Sequence, residues 1–214
     1  IVKLAKARIK NAMRTFKNEF SYDIYADGTL PNQINGLQAL VADAGTGTVG
    51  GIDSSSWSFW QNAVQSAAAP LQGGGAVTVS ATTIETSIML PLWLNQVRGD
   101  DKPDLIVASN DWFSFYEASQ VSIKRYTSAS EVSGGFTSLK YKNADVIFDG
   151  GSGIPAAHMY FLNTDYLEMV VHSDADLSVQ DDMKPYNQDA TVIPILWMGN
   201  MVCSNRRLQG VAKS

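Results

Sequence analysis

The sequence predicts an α+β fold, and three observations carry that expectation. Val2, Ala5, Ile9, Ala12 or Met13, Phe16 and Phe20 recur at steps of three and four, the period of an amphipathic helix over residues 1–21. Leu105-Ile-Val runs through Ser109 or Asn110 into a helical pattern over 111–120, a strand, cap and helix of the kind that builds an α/β layer. The run from Asp189 to Gly210 is long, apolar and nearly free of charge until Arg206 and Arg207. Such a segment must be buried on both faces or paired along its length, because exposed edges of this kind aggregate, and it is expected to be a central strand paired with something much earlier in the chain.

The remaining elements follow in order. The opening helix has a narrow apolar stripe, so one side of it is expected to stay wet. Tyr25 to Asn32 is a turn region punctuated by Asp27-Gly28 and Pro31-Asn32. Ile34 to Ala42 is a short apolar piece, helix or strand, and Gly45 to Gly51 is a glycine loop. Asp53 is placed to cap a short helix or turn before the aromatic patch Trp57, Phe59 and Trp60. Gly73-Gly-Gly75 marks a hinge or domain boundary. Thr82 and Glu85 fit a capping box, opening a helix to about Val97 that Pro91 should kink. Residues 123–142 read as strand or loop excursions, and Ala144–Phe148, Met159–Leu162 and Leu167–Val171 as strands. Residues 173–190 read as an acidic loop, with Asp174, Asp176, Asp181, Asp182 and Asp189 against Lys184 alone. Pro194 and Gly199 should bend the apolar tract that follows.

Composition narrows the function classes. At 214 residues the chain can form one large or two small domains. It holds no apolar run of the roughly 18 residues that span a bilayer. Its one cysteine, Cys203, allows neither an intramolecular disulfide nor a cysteine metal cluster. The first residue is Ile and no cap precedes the helical pattern, so the chain reads as starting mid-element. The net charge is −5, yet the first 20 residues hold Lys3, Lys6, Arg8, Lys10, Arg14 and Lys17 against Glu19 alone. A globally acidic chain does not have nucleic-acid binding as its main task, and the basic face is expected to be solvated or paired with acids.

No catalytic constellation emerges. Gly45-Thr-Gly47-Thr-Val-Gly50 matches G-x-G-x-x-G, but no acid lies between Asp53 and Glu85 and no helix opens within it, so it is expected to be a plain loop. Asp174-Ala-Asp176 begins like a calcium loop, but Val179 and Pro185 replace the glycine and glutamate that loop requires. His158 and His172 have neither a nucleophile elbow nor a second ligand at metal spacing. Cys203 is expected to be a buried, inert thiol. No catalytic, cofactor or metal residue is assigned.

The order of parts resembles a known family. The basic helix followed by Ile24-Tyr-Ala-Asp-Gly-Thr and Ile34-Asn-Gly-Leu-Gln-Ala-Leu-Val is similar to the spine helix and following stretch of tailed-phage major capsid proteins of the Hong Kong 97-type fold. The capped helix and Leu105-Ile-Val-Ala-Ser-Asn-Asp-Trp112 resemble that family's strand, Asn-Asp-Trp, helix unit. His158 to Leu167 and Asn187 to Gly210 resemble its closing strands. The family's N-terminal arm and extended hairpin are absent from this sequence, so no crosslinking residue is carried over and a monomer or small oligomer is expected.

The resemblance implies a peripheral domain over 1–75 and 164–197, built on the spine helix, and an α/β axial domain over 76–163 and 198–214. It implies a virion shell subunit, made in the bacterial cytoplasm, that self-associates into pentamers and hexamers around dsDNA held by weak contacts. A scaffold or maturation protease is a further implied partner, and no membrane is. The subunit-interface candidates are Asp174, Asp176, Asp181, Asp182, Lys184, Lys6 and Lys10. Alternative readings are an encapsulin-like compartment, a nucleotide enzyme using the 45–50 loop, and a decoration protein with an exposed aromatic patch at 57–60.

Overall fold

A computed structural model describes residues 2–124, 139–150 and 153–214. Helix α1 spans Val2–Asp23, and the short α2 spans Leu37–Leu40. Strands β1 (Thr48–Val49) and β2 (Ile52–Asp53) form a hairpin, followed by β3 (Ala63–Ser66). A wide π-helical turn over Ile84–Met89 leads into α3 (Leu90–Gln96). Then come β4 (Leu105–Ala108), α4 (Asn110–Lys124), β5 (Leu139–Tyr141), β6 (Ala144–Phe148) and β7 (His158–Leu162). The chain closes with β8 (Leu167–Val171), β9 (Ser178–Val179), β10 (Ile195–Leu196), β11 (Gly199–Cys203) and β12 (Gly210–Lys213). Of the excursions expected over 123–142, residues 125–138 lie outside the described residues.

Six strands form one mixed sheet in the order β3-β12-β7-β4-β6-β5. Period-two alternation packs both faces along β12, β7 and β4, while at the β5–β6 edge Lys140, Ile147 and Phe148 are exposed. Ile106, Ala108, Met159, Phe161, Val146 and Ala212 turn toward α3 and α4, where they meet Ile88, Leu92, Trp93, Trp112 and Tyr116. Val107, Tyr160, Leu162 and Val211 turn the other way, onto Tyr25, Leu37, Leu40 and Val41. The strand pairing cuts across the partition the resemblance implied. β3 lies in the same sheet as β4 to β7, and β11 pairs with β8.

The helix before Pro91 starts differently from the expectation. Thr82 and Glu85 do not form the capping box. Instead the Thr83 hydroxyl accepts the Ser80 N–H at 3.0 Å, and the Ser80 carbonyl accepts the N–H groups of Thr83 and Ile84. The frame sits two residues earlier because Ser80 closes the turn, while Glu85 is reached by Gln120 Nε2 from α4. Pro91 has no N–H and its ring crowds the carbonyl four residues back. The chain answers with the π turn and restarts as α-helix with Pro91 in the first turn. The freed Ser87 carbonyl is satisfied from outside, by Gln65 Nε2 at 2.7 Å and Gln72 Nε2 at 3.0 Å.

The apolar terminal run is also corrected. It is not one buried strand. Residues 191–203 are the return limb of a long hairpin, and many of its side chains are exposed. Beyond this run, β12 enters the six-stranded sheet one place in from its edge, parallel to β3 and antiparallel to β7. The supposed acidic loop 173–190 is the outgoing limb and tip of the same hairpin, paired at Val179↔Ile195 and Met183↔Val192.

β12 approaches α3 so closely that a Cβ on Gly210 would lie 2.6 Å from Gln96 Nε2 and 2.7 Å from its Cδ. That amide is already committed to the Phe161 and Leu208 carbonyls. Gly210→Ala should therefore lower unfolding free energy by about 1–3 kcal/mol, the usual cost of overpacking, read as a shift in urea midpoint at constant m-value.

Candidate assembly surface

The glycine loop is the sequence feature that matches a nucleotide-binding spacing. Its geometry is the reverse of a phosphate cradle. Arg206 is completely buried, and its guanidinium is wrapped by carbonyls of this loop and its neighbours. Nε donates to Leu40 O at 2.7 Å, Nη1 to Gly47 O and to Ser54 Oγ at 3.1 Å each, and Nη2 to Thr46 O at 3.4 Å. A phosphate site needs converging N–H groups, whereas here the carbonyls converge on a cation. The last two glycines, Gly50 and Gly51, have φ of 61° and 78° and make the two-residue turn of the β1–β2 hairpin, where positive φ is required. Burial lowers the guanidinium pKa from its usual value.

The other candidates hold structural positions. His158 Nε2 meets Asp43 Oδ2 at 3.0 Å and its Nδ1 meets the Ala156 carbonyl at 2.8 Å. Its backbone N–H donates to Ser109 Oγ. His172 Nδ1 accepts the Asp174 N–H. No group of three metal-ligating side chains occurs among the described residues. Asp53 takes the cap role expected of it, accepting the Ser55 N–H and the Ser56 hydroxyl. Trp57 and Phe59 are exposed beside it, with ring centroids 6.1 Å apart. Burial pushes the Cys203 thiol up to about 11.

What stands out is the hairpin arm, a feature the sequence did not separate from the core. β8 pairs with β11 from Leu167↔Cys203 to Val171↔Gly199, and the ladder resumes through β9 and β10. Leu167, Met201 and Cys203 face inward onto the second core. On the outer side Val170 is 52% exposed, Met198 63% and Val202 40%, and farther out Val179, Met183 and Leu196 are exposed as well. Trp197 ties the arm to α1, 4.9 Å edge-on from Phe20 and 6.1 Å from Phe16. These exposed apolar side chains lie opposite the exposed Glu168, His172 and Asn200 across the ladder, a mixed apolar and polar face that suits contact with another protein.

The candidate interface residues fall on these two elements. Asp174, Asp176, Asp181, Asp182 and Lys184 are exposed along the arm, and Lys6 and Lys10 are exposed on α1. Asp182 lines an open cleft with Leu4, Arg8 and Ile9 of α1 and with Ile193 and Ile195 of the return limb. Among the described residues no helix is long and apolar enough to cross a membrane.

No protein-family model matches the chain, and no curated protein does. A solved structure does. A chain of the cyanophage A-1(L) capsid asymmetric unit superposes with a TM-score of 0.68 at 16% identity, covering 98% of this chain and 69% of that one. The fold is that of a phage capsid chain. At this identity the likeness is one of backbone architecture, and it spans both the six-stranded sheet and the arm, since almost the whole chain is covered.

Two outcomes follow from the buried Arg206 guanidinium and the half-buried Cys203 thiol. Arg206→Met removes the donors that hold the Leu40, Thr46 and Gly47 carbonyls. It should cost about 3 kcal/mol or more, with faster proteolysis in 45–54, and Arg206→Lys should not restore it because an ammonium lacks the planar fork. Cys203 should react with a disulfide reagent at pH 8 far more slowly in the native than in the urea-unfolded chain, because its raised pKa keeps the native thiol protonated there.

Proposed function

We propose that this chain is a structural subunit of a tailed-phage or prophage capsid of the Hong Kong 97 type. Copies of it join as pentamers and hexamers into an icosahedral shell around double-stranded DNA. The observation that carries the reading is the arm with its exposed apolar side chains, projecting from the sheet within a fold shared with a phage capsid chain. The arm offers a surface for another protein.

In this reading the six-stranded sheet with α3 and α4 is the axial lobe, which meets its copies at capsomer centres. Helix α1 and the arm form the peripheral lobe, whose tips meet where capsomers join. The mechanism is mechanical. Many copies of one modest contact close a shell by symmetry. The acidic balance, net −5, suits a wall that encloses DNA without gripping it.

The test is electron microscopy and mass spectrometry of particles from cells expressing the full gene product. The expected result is a shell built mainly of this chain and filled with DNA. Shells holding an enzyme cargo and no DNA would point to a compartment, and absence of the chain from any shell would overturn the reading. In the same system Met198→Glu combined with Val202→Glu should leave the melting temperature unchanged. It should lower particle yield by about tenfold or more, because an unpaired charge buried at a contact costs several kcal/mol.

A further inference from the structure

Four cations of α1 form one exposed row that nothing in the described chain neutralises. Lys6, Lys10, Arg14 and Lys17 follow at steps of four, four and three, which at 3.6 residues per turn gathers them into an arc of about 80°. All four are exposed. The row runs about 16 Å along the axis at 1.5 Å per residue. The ion pairs recorded among the described residues are Lys140–Asp145 and His158–Asp43, and neither involves the row.

The arm of the same chain sits on the other side of the helix. The cleft between them is lined by Leu4, Arg8, Ile9 and Ala12 of α1, with Asp182 and Ile193 opposite. Arg8 stands about 160° around the helix from the middle of the row. The arm nevertheless carries the complementary charge. Asp174, Asp176, Asp181, Asp182 and Asp189 are exposed on it against Lys184 alone.

We infer that the acidic arm of one copy docks along the Lys6, Lys10, Arg14 and Lys17 row of a second copy. This rests on the shell reading above and names the partner of its peripheral surface. The contact is head-to-tail: each copy gives an arm and receives one, so contacts can propagate around a closed assembly. Exposed charges of this kind steer encounter and fix orientation, and the apolar outer face of the arm supplies the burial. Duplex DNA also fits a cationic row. Beyond the opening helix the chain carries a net negative charge, which opposes an extended polyanion lying across the molecule, whereas the arm presents its charge on a narrow ribbon.

The test is a charge swap. One variant carries Lys6→Glu, Lys10→Glu, Arg14→Glu and Lys17→Glu. The other carries Asp174→Lys, Asp176→Lys, Asp181→Lys and Asp182→Lys. Light scattering should show the wild-type chain associating at low salt. That association should weaken about tenfold or more toward 1 M salt, where the screening length falls to about 3 Å. Each variant alone should remain monomeric, and an equimolar mixture should associate again. If a reversal variant loses its circular dichroism, the matching Lys→Gln and Asp→Asn variants replace it and must show the same loss of association.

Folded variants that fail to associate when mixed, or a wild-type chain monomeric at every salt concentration, would overturn the inference. So would a row-reversed chain that associates normally and loses only retention of duplex DNA in a gel shift, which would make the row a nucleic-acid contact. Shells that form regardless of both reversals would sink the docking inference alone. A mixture that associates while the chain is absent from shells would sink the shell reading alone.

Discussion

The structure depends on how a short final strand is held in the middle of a sheet. β12 is only four residues long, too short to be placed by its own ladder. The turn before it carries buried polar groups that are each satisfied from a different part of the chain. Arg206 is bonded to Leu40, Thr46, Gly47 and Ser54 on one side. Gln209 exchanges hydrogen bonds with Asn163, donating to its carbonyl at 3.1 Å and accepting its N–H at 3.0 Å. Gln96 reaches from α3 to the Phe161 and Leu208 carbonyls. An unpaired buried amide or guanidinium is expensive. The register that pairs Arg206, Gln209 and the Gln96 amide N–H groups is therefore strongly preferred, and it places Val211 and Ala212 in opposite cores.

Around that anchor the molecule divides by mechanical character. The strands β12, β7 and β4 are packed on both faces and have no free edges. The arm is a two-stranded ribbon with interrupted pairing between Val171 and Ser178, held to the body by Leu167, Met201, Cys203 and the Trp197 contact with α1. Ribbons of two strands are marginal by themselves. A stiff body with a compliant projection suits a subunit that must make the same contact in slightly different surroundings.

Much of this was legible in the sequence. Helix α1 followed from its period, and β4, β6, β7 and β8 from short apolar runs with turn signals. The sheet-buried runs and the arm could not be told apart, because Ile193, Ile195 and Leu196 are as apolar as Ile106 and Val107. The difference is that the arm's outer side faces no part of its own chain. Pairing in residues 173–190 was hidden for the opposite reason. A ribbon wet on both faces imposes no alternation, so its composition reads as a loop. The role of Arg206 left no local signal, since its acceptors are backbone carbonyls about 160 positions away. The glycine loop shows a dinucleotide-like spacing in the sequence, but the guanidinium that its carbonyls hold could be seen only in three dimensions.

Strand order has a kinetic consequence. β12 lies between β3, which is nearly 150 residues earlier, and β7, so its two neighbours cannot be bridged by any local event. Sheets closed by such distant segments fold slowly, because loop entropy is lost before contacts compensate for it. Until β12 inserts, β3 and β7 each present an open edge and the Leu40–Gly47 carbonyls have no cation. The collapsed intermediate is thus the species most prone to sticking to its own kind, and its lifetime sets how much the chain gains from chaperone capture.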